Sequence, residues 1–148
     1  MSRIDQRFAD LRAAGRVGLV TYVTAGDPDL ARSAEILVRL DRAGADVLEV
    51  GVPFSDPLAD GPVIQRATER ALASGTTLEG VLTMLAGVRS RITAPIVIFS
   101  YANPILRMGL ERFVASARAA GVDGVLTLDM PPEEGDVFRK AFNAAEID

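Results

Sequence analysis

Four short apolar, β-rich runs recur along the chain, each followed by residues with helical spacing, and this alternation constrains the fold more than any other feature. The runs are VGLVTYV (17–23), the centre of AGADVLEVGV (about 46–50), PIVIFSY (95–101) and DGVLTL (123–128). Between them lie helical patterns at 30–43, 62–74 and 77–91, then from Ile105 to about Ala120, and a turn with a last helix in MPPEEGDVFRKAFNAA; a first helix is expected over 2–14, with Ser2 as its N-cap. In the turn TAGDPD, Asp27 is placed to cap the second helix with Pro28 at its first position. Strands that alternate with helices call for a parallel sheet with right-handed crossovers, and nearly unbroken apolar strands call for cover on both faces.

An internal echo strengthens the reading. AGADVLEVGVP (43–53) resembles AGVDGVLTLDMP (120–131), with one extra residue in the second copy. Both read as a helix end at Ala-Gly, a short strand, then a proline turn. A (β/α)8 barrel takes about 250 residues. Four βα units in 148 residues make half of one. An open flavodoxin-like sheet also suits the length, but TAGDPD stands after the first strand where a Gly-rich phosphate loop would be. The expected architecture is therefore α/β, the first four βα units of a barrel preceded by a helix: a single domain over residues 1–148 whose C-terminal half is absent.

What is missing narrows the chemistry. The chain has no Cys and no His, which excludes disulfides, a thiolate nucleophile, a Ser-His triad and a His- or Cys-ligated zinc. Lys140, the only lysine, sits in a late helical pattern unsuited to a Schiff base. Catalysis would fall to Asp, Glu, Tyr, Ser, Thr and backbone groups. A net charge of −4 with mixed signs and no basic–aromatic cluster gives no case for nucleic acid. No apolar run approaches the ~20 residues of a membrane span, and the charged N-terminus is unlike a signal peptide, so the cytoplasm is the expected location.

Sites in parallel α/β folds form at the C-terminal ends of strands. There the sequence places Tyr22 and Thr24, Glu49, the loop EVGVPFSDPLADGP leading to Asp60, Ser100 with Tyr101 and Asn103, and Asp129. Glu49 shares a strand face with Val47, while Leu48 and Val50 take the other. Three readings compete for it: a proton-shuttling carboxylate tuned by burial, half of an ion pair with an arginine, or a polar end of the strand facing water. For Asp56 and Asp60 the pattern favours turns and capping, with Asp60 just ahead of Gly61-Pro62 at a helix start. Asp129 before Met-Pro-Pro and Asn103-Pro104 read first as turns, and Tyr22 as core.

TYVTAGDPD, LEVGVPFSDPLADGPVIQRA and YANPI, in this order, closely resemble the alpha subunit of tryptophan synthase, and VLTLDMPPEE resembles the turn after its fourth strand. The similarity covers the first half of such a subunit. It implies a TIM barrel that cleaves indole-3-glycerol phosphate to indole and glyceraldehyde 3-phosphate without a cofactor of its own. The partner beta subunit, in an alpha2-beta2 heterotetramer, holds pyridoxal phosphate. By resemblance, Glu49 and Asp60 are the catalytic carboxylates, and Tyr22, Phe99, Tyr101 and Asp129 lie at the substrate. Pro53, Phe54, Ser55, Asp56, Pro57, Asn103 and Pro104 face the beta subunit. The family's phosphate site and mobile loop fall beyond Asp148. The isolated chain is therefore expected to turn over little or nothing, and a self-associating half-barrel or a beta-binding fragment is the alternative.

Overall fold

In the computed structural model, which describes residues 1–148, the four apolar runs become parallel strands β1 (Val20–Thr24), β2 (Val47–Gly51), β3 (Ile96–Ser100) and β4 (Gly124–Thr127), hydrogen-bonded in the order β1-β2-β3-β4. The helices are α1 (Arg3–Ala13), α2 (Leu30–Arg42), α3 (Pro62–Ala73), α4 (Leu78–Val88), α5 (Ala102–Met108), α6 (Leu110–Ala119) and α7 (Asp136–Ala144). Strands that pair in chain order, with no reversal, give the progression of a barrel. An open doubly wound sheet changes direction at a switch point, and none exists here.

Strand alternation sorts the side chains into two faces. Leu48, Val50, Ile96 and Ile98 point to the helix layer and are fully buried, packed with Leu37 of α2, Val81 and Leu85 of α4 and Phe113 of α6. Each such burial stabilises the fold by about 1.5–3 kcal/mol. The other face carries Val20, Tyr22, Glu49, Gly51, Val97, Phe99 and Leu126 in register. It is the inner face of the half-barrel and is only partly covered: Val20 is 45% and Leu126 40% exposed.

The internal echo has a physical basis. Gly44 and Gly121 end α2 and α6 at φ of 100° and 73°, a region glycine enters without a Cβ penalty. Two residues on, Asp46 and Asp123 tie their strands to the preceding one. The Asp46 carboxylate accepts the Leu19 N–H at 2.9 Å, and that of Asp123 accepts the Ile96 N–H at 2.8 Å. Both also face arginines: Arg16 at 2.7 Å from Asp46, and Arg89 and Arg3 at 3.5 and 3.6 Å from Asp123.

Several boundaries differ from the sequence reading. β1 begins at Val20 rather than Val17, which is 89% exposed. Asp29, not Asp27, caps α2, accepting the Arg32 N–H at 2.7 Å; Asp27 is held instead by a two-pronged contact with Arg70 at 2.7 and 2.8 Å. The expected helix from Ile105 to Ala120 is two helices, broken at Gly109 with φ 91°. Asn103 and Pro104 form the first turn of α5 rather than an open turn, since a proline there forfeits no intrahelical hydrogen bond. Ser2 caps α1 as expected, in a reciprocal box with Asp5. The outer edge of β4 is not wholly bare. Asp148 donates its N–H to the Asp123 carbonyl at 3.0 Å and accepts the Val125 N–H at 2.8 Å, the pattern of a parallel strand beginning beside Gly124. No single helix is long and apolar enough to cross a membrane.

Candidate functional site

The C-terminal ends of β1, β2 and β3 meet the loop 52–61 on the inner face of the sheet. Register sets the first relationship: Tyr22 of β1, Glu49 of β2 and Val97 of β3 lie side by side, and Thr24, Gly51 and Phe99 form the next row. Glu49 is half-buried and makes no hydrogen bond or ion pair with any protein group, so the arginine-paired reading of this residue fails. Its oxygens are not sealed from solvent, so the carboxylate is open to water or to a ligand.

Gly51 opens the space above it. A Cβ there would fall 2.0 Å from the Tyr22 hydroxyl oxygen and 2.5 Å from its Cζ, so the Tyr22 ring occupies the place a side chain would take. The ring meets Phe99 edge-on, with centroids 5.3 Å apart at 79°. Two aromatic rings thus stand over the β2 backbone one step beyond Glu49. Burial pushes the Tyr22 phenol above its ordinary value; the Thr24 hydroxyl opposes this, and Asp60, Tyr101 and Glu49 add to it.

Asp60 does not cap α3. The N-cap is Gly61, with no side-chain bond, and Pro62 follows at the first helical position, where its missing N–H costs nothing. The Asp60 carboxylate turns instead to Tyr101, whose hydroxyl stands 3.3 Å from Oδ2 and accepts the Ala59 N–H at 2.9 Å. Tyr101 is 4% exposed and its ring packs on Phe54, centroids 5.2 Å apart. Burial first, and then the acidic neighbours Asp60 and Asp129, hold its phenol protonated well into alkaline pH, against the opposing Ala59 N–H. Gln65 of α3 closes the loop by donating to the Asp60 carbonyl at 2.8 Å. Sequence reasoning missed this tyrosine-to-loop tie, because residues 41 apart in the chain meet only after β3 docks against β2.

Asp129 lies at the mouth of β4, and its Oδ1 accepts the Ala102 N–H at 2.7 Å, anchoring the first turn of α5. Pro53, Phe54, Ser55, Asn103 and Pro104 line one cavity of about 530 Å3 on the outer side of this mouth. Asp56 and Pro57 line a neighbouring one of about 350 Å3 that shares Phe54 and Ser55. No three His, Cys, Asp or Glu side chains converge so as to hold a metal ion.

A family model, tryptophan synthase alpha chain, matches residues 8–148. The chain belongs to that family. It is 57% identical over 149 residues to the tryptophan synthase alpha chain of Burkholderia multivorans and 56% identical to that of Burkholderia ambifaria, covering 100% of this chain and 55% of each relative. The chain thus spans about half the length of the curated relatives it matches. The crystal structure of the tryptophan synthase alpha subunit from Legionella pneumophila superposes with a TM-score of 0.96 at 42% identity, covering 99% of this chain and 56% of that one. Tryptophan synthase from Mycobacterium tuberculosis gives 0.95 at 36% identity, covering 100% and 60%. The four parallel strands and their helices are therefore half of a TIM barrel of this family.

Proposed function

We propose that residues 1–148 are the N-terminal portion of a single TIM-barrel domain that cleaves indole-3-glycerol phosphate to indole and glyceraldehyde 3-phosphate, a carbon–carbon lyase step in tryptophan biosynthesis in the cytoplasm. The observation that carries the proposal is Glu49: a half-buried, unpartnered carboxylate at the C-terminal end of a barrel strand, beside two aromatic rings and facing a loop that holds a second carboxylate. In this reading Glu49 delivers a proton to the indole C3 and takes one from the hydroxyl on the carbon attached to the ring. The carbon–carbon bond then breaks, its electrons return to the ring, and the hydroxyl carbon leaves as an aldehyde. Asp60 binds the ring N–H and stabilises the positive charge that builds there when C3 is protonated. Tyr22 and Phe99 wall the ring. Tyr101 holds Asp60, and Asp129 keeps the mouth of β4 in place beside the substrate.

The chain needs no cofactor in this reading. Pyridoxal phosphate belongs to a beta subunit that receives the indole in an alpha2-beta2 assembly. Pro53, Phe54, Ser55, Asp56, Pro57, Asn103 and Pro104 form the face toward it, and the two cavities around Phe54 support that placement. Indole release from indole-3-glycerol phosphate by the purified chain, with and without beta subunit and beside a Glu49→Gln variant, tests the proposal. The 148-residue chain alone gives little or no turnover, because binding energy from the phosphate drives the chemistry; robust release that is unchanged in Glu49→Gln refutes the assignment. A second reading is a self-associating half-barrel, favoured by the exposed Val20 and Leu126 on the inner face. Sedimentation decides it, since a monomer at all concentrations removes it.

A further inference from the structure

The Tyr22 hydroxyl has an environment that a ring wall does not require. Its oxygen sits over the Gly51 backbone, in space that exists only because Gly51 has no Cβ. It accepts a long hydrogen bond, 3.5 Å, from the hydroxyl of Thr24, which is 6% exposed. Its own proton has no protein acceptor, although Glu49 is its register neighbour and both Glu49 and Asp60 bear on it electrostatically. Along β2, Gly51 is the next position after Glu49 on the same face, about 7 Å away. The site therefore holds an unpartnered carboxylate and a phenol whose proton is uncommitted, on neighbouring strands and the same wall of the sheet. Phenylalanine would keep the edge contact with Phe99 and give up only the oxygen that sits over Gly51.

We propose that the Tyr22 hydroxyl donates a hydrogen bond to the substrate oxygen whose proton Glu49 removes. This deepens, and rests on, the reading of the site given above. As Glu49 takes the hydroxyl proton, partial negative charge develops on that oxygen before it becomes the aldehyde carbonyl. A neutral donor fixed against the backbone stabilises this charge without reorganising. Tyr22 transfers no proton. The proton moves to Glu49 and the electron pair of the broken carbon–carbon bond moves to the ring. In the reverse direction the same hydrogen bond polarises the aldehyde for attack. Burial first, and after it Asp60, Tyr101 and Glu49, keep the phenol in its neutral, donating form against the opposing Thr24 hydroxyl.

The test compares two probes in a Glu49→Gln background, which stops turnover: indole-3-glycerol phosphate, and 2-hydroxy-3-(indol-3-yl)propyl phosphate, which lacks only the ring-adjacent hydroxyl. NMR titration reads their dissociation constants into the millimolar range for chains with Tyr22 and with Tyr22→Phe. The expected result is a weakening of roughly fivefold for indole-3-glycerol phosphate on removal of the phenol oxygen, the scale of one neutral hydrogen bond, with no change for the deoxy probe. Equal weakening of both probes, or of neither, overturns the proposal and leaves Tyr22 as a wall. Where the 148-residue chains bind neither probe, the comparison is read in the same chains joined to the C-terminal part of the Burkholderia multivorans relative, and absence of binding there overturns the functional reading and this assignment with it.

Discussion

Tyr101 and Asp60, 41 residues apart, hold each other at the mouth of the sheet: the phenol stands 3.3 Å from Oδ2 of Asp60 while it accepts the neighbouring Ala59 N–H at 2.9 Å. One buried hydroxyl thus fixes both the backbone and the carboxylate of a loop that is otherwise largely exposed. Replacing Tyr101 by Phe keeps the ring against Phe54 and removes only these ties. The Ala59 amide is then expected to exchange with solvent roughly five to tenfold faster, in line with the loss of one or two hydrogen bonds. Site-resolved hydrogen exchange checks this; unchanged protection at Ala59 shows that the loop is held by other contacts.

Gly51 gives a steric prediction. A methyl group there falls 2.0 Å from the Tyr22 oxygen, so Gly51→Ala expels the ring from its seat and breaks its edge contact with Phe99. The expected cost is about 1–3 kcal/mol, typical of overpacking a fitted site. Urea unfolding measures it. A variant as stable as the parent shows that the Tyr22 ring moves aside freely.

The aspartates of the echoed motif diverge with pH. The Leu19 N–H, and after it Arg16 and Arg7, hold the Asp46 carboxyl below the usual carboxylate range, against the cost of burial. A depressed folded-state value means that Asp46 stabilises the fold above about pH 4, the ordinary carboxylate pKa, and loses that contribution as pH falls through the lower folded value. Asp46→Asn is expected to lower stability by about 1–3 kcal/mol at pH 7, with the gap to the parent closing in acid. Melting curves across that range test the sign. Asp123, raised by burial, has the opposite dependence, because its protonation favours the folded state just above the ordinary value.

The sheet was legible because period and composition agree in each strand, and the apolar faces of Leu48, Val50, Ile96 and Ile98 leave one arrangement that buries them. Glu49 stands out for the same reason, as the one acid in an apolar strand; Asp60 does not by pattern, and only the resemblance pairs the two carboxylates. Local pattern favours a cap wherever an aspartate precedes Gly-Pro, and only the return of β3 beside β2 brings Tyr101 to claim the carboxylate. The break at Gly109 was hidden by apolar residues on both sides that keep helical spacing across it. The misassigned cap in TAGDPD has a similar cause, since Asp27 and Asp29 flank the same proline and a distant arginine decides between them.

Glu49 and Asp60, read as the catalytic carboxylates of a lyase, belong to a site that a whole barrel would complete. The direct measurement joins residues 1–148 to the remaining C-terminal part of the Burkholderia multivorans relative and follows indole release from indole-3-glycerol phosphate, beside the same fusion carrying Glu49→Gln. Turnover by the fusion is expected, with a loss of at least about a hundredfold in the Gln variant, the scale of a missing acid–base group. A folded fusion without activity, or one equally active with Gln at position 49, would contradict that reading.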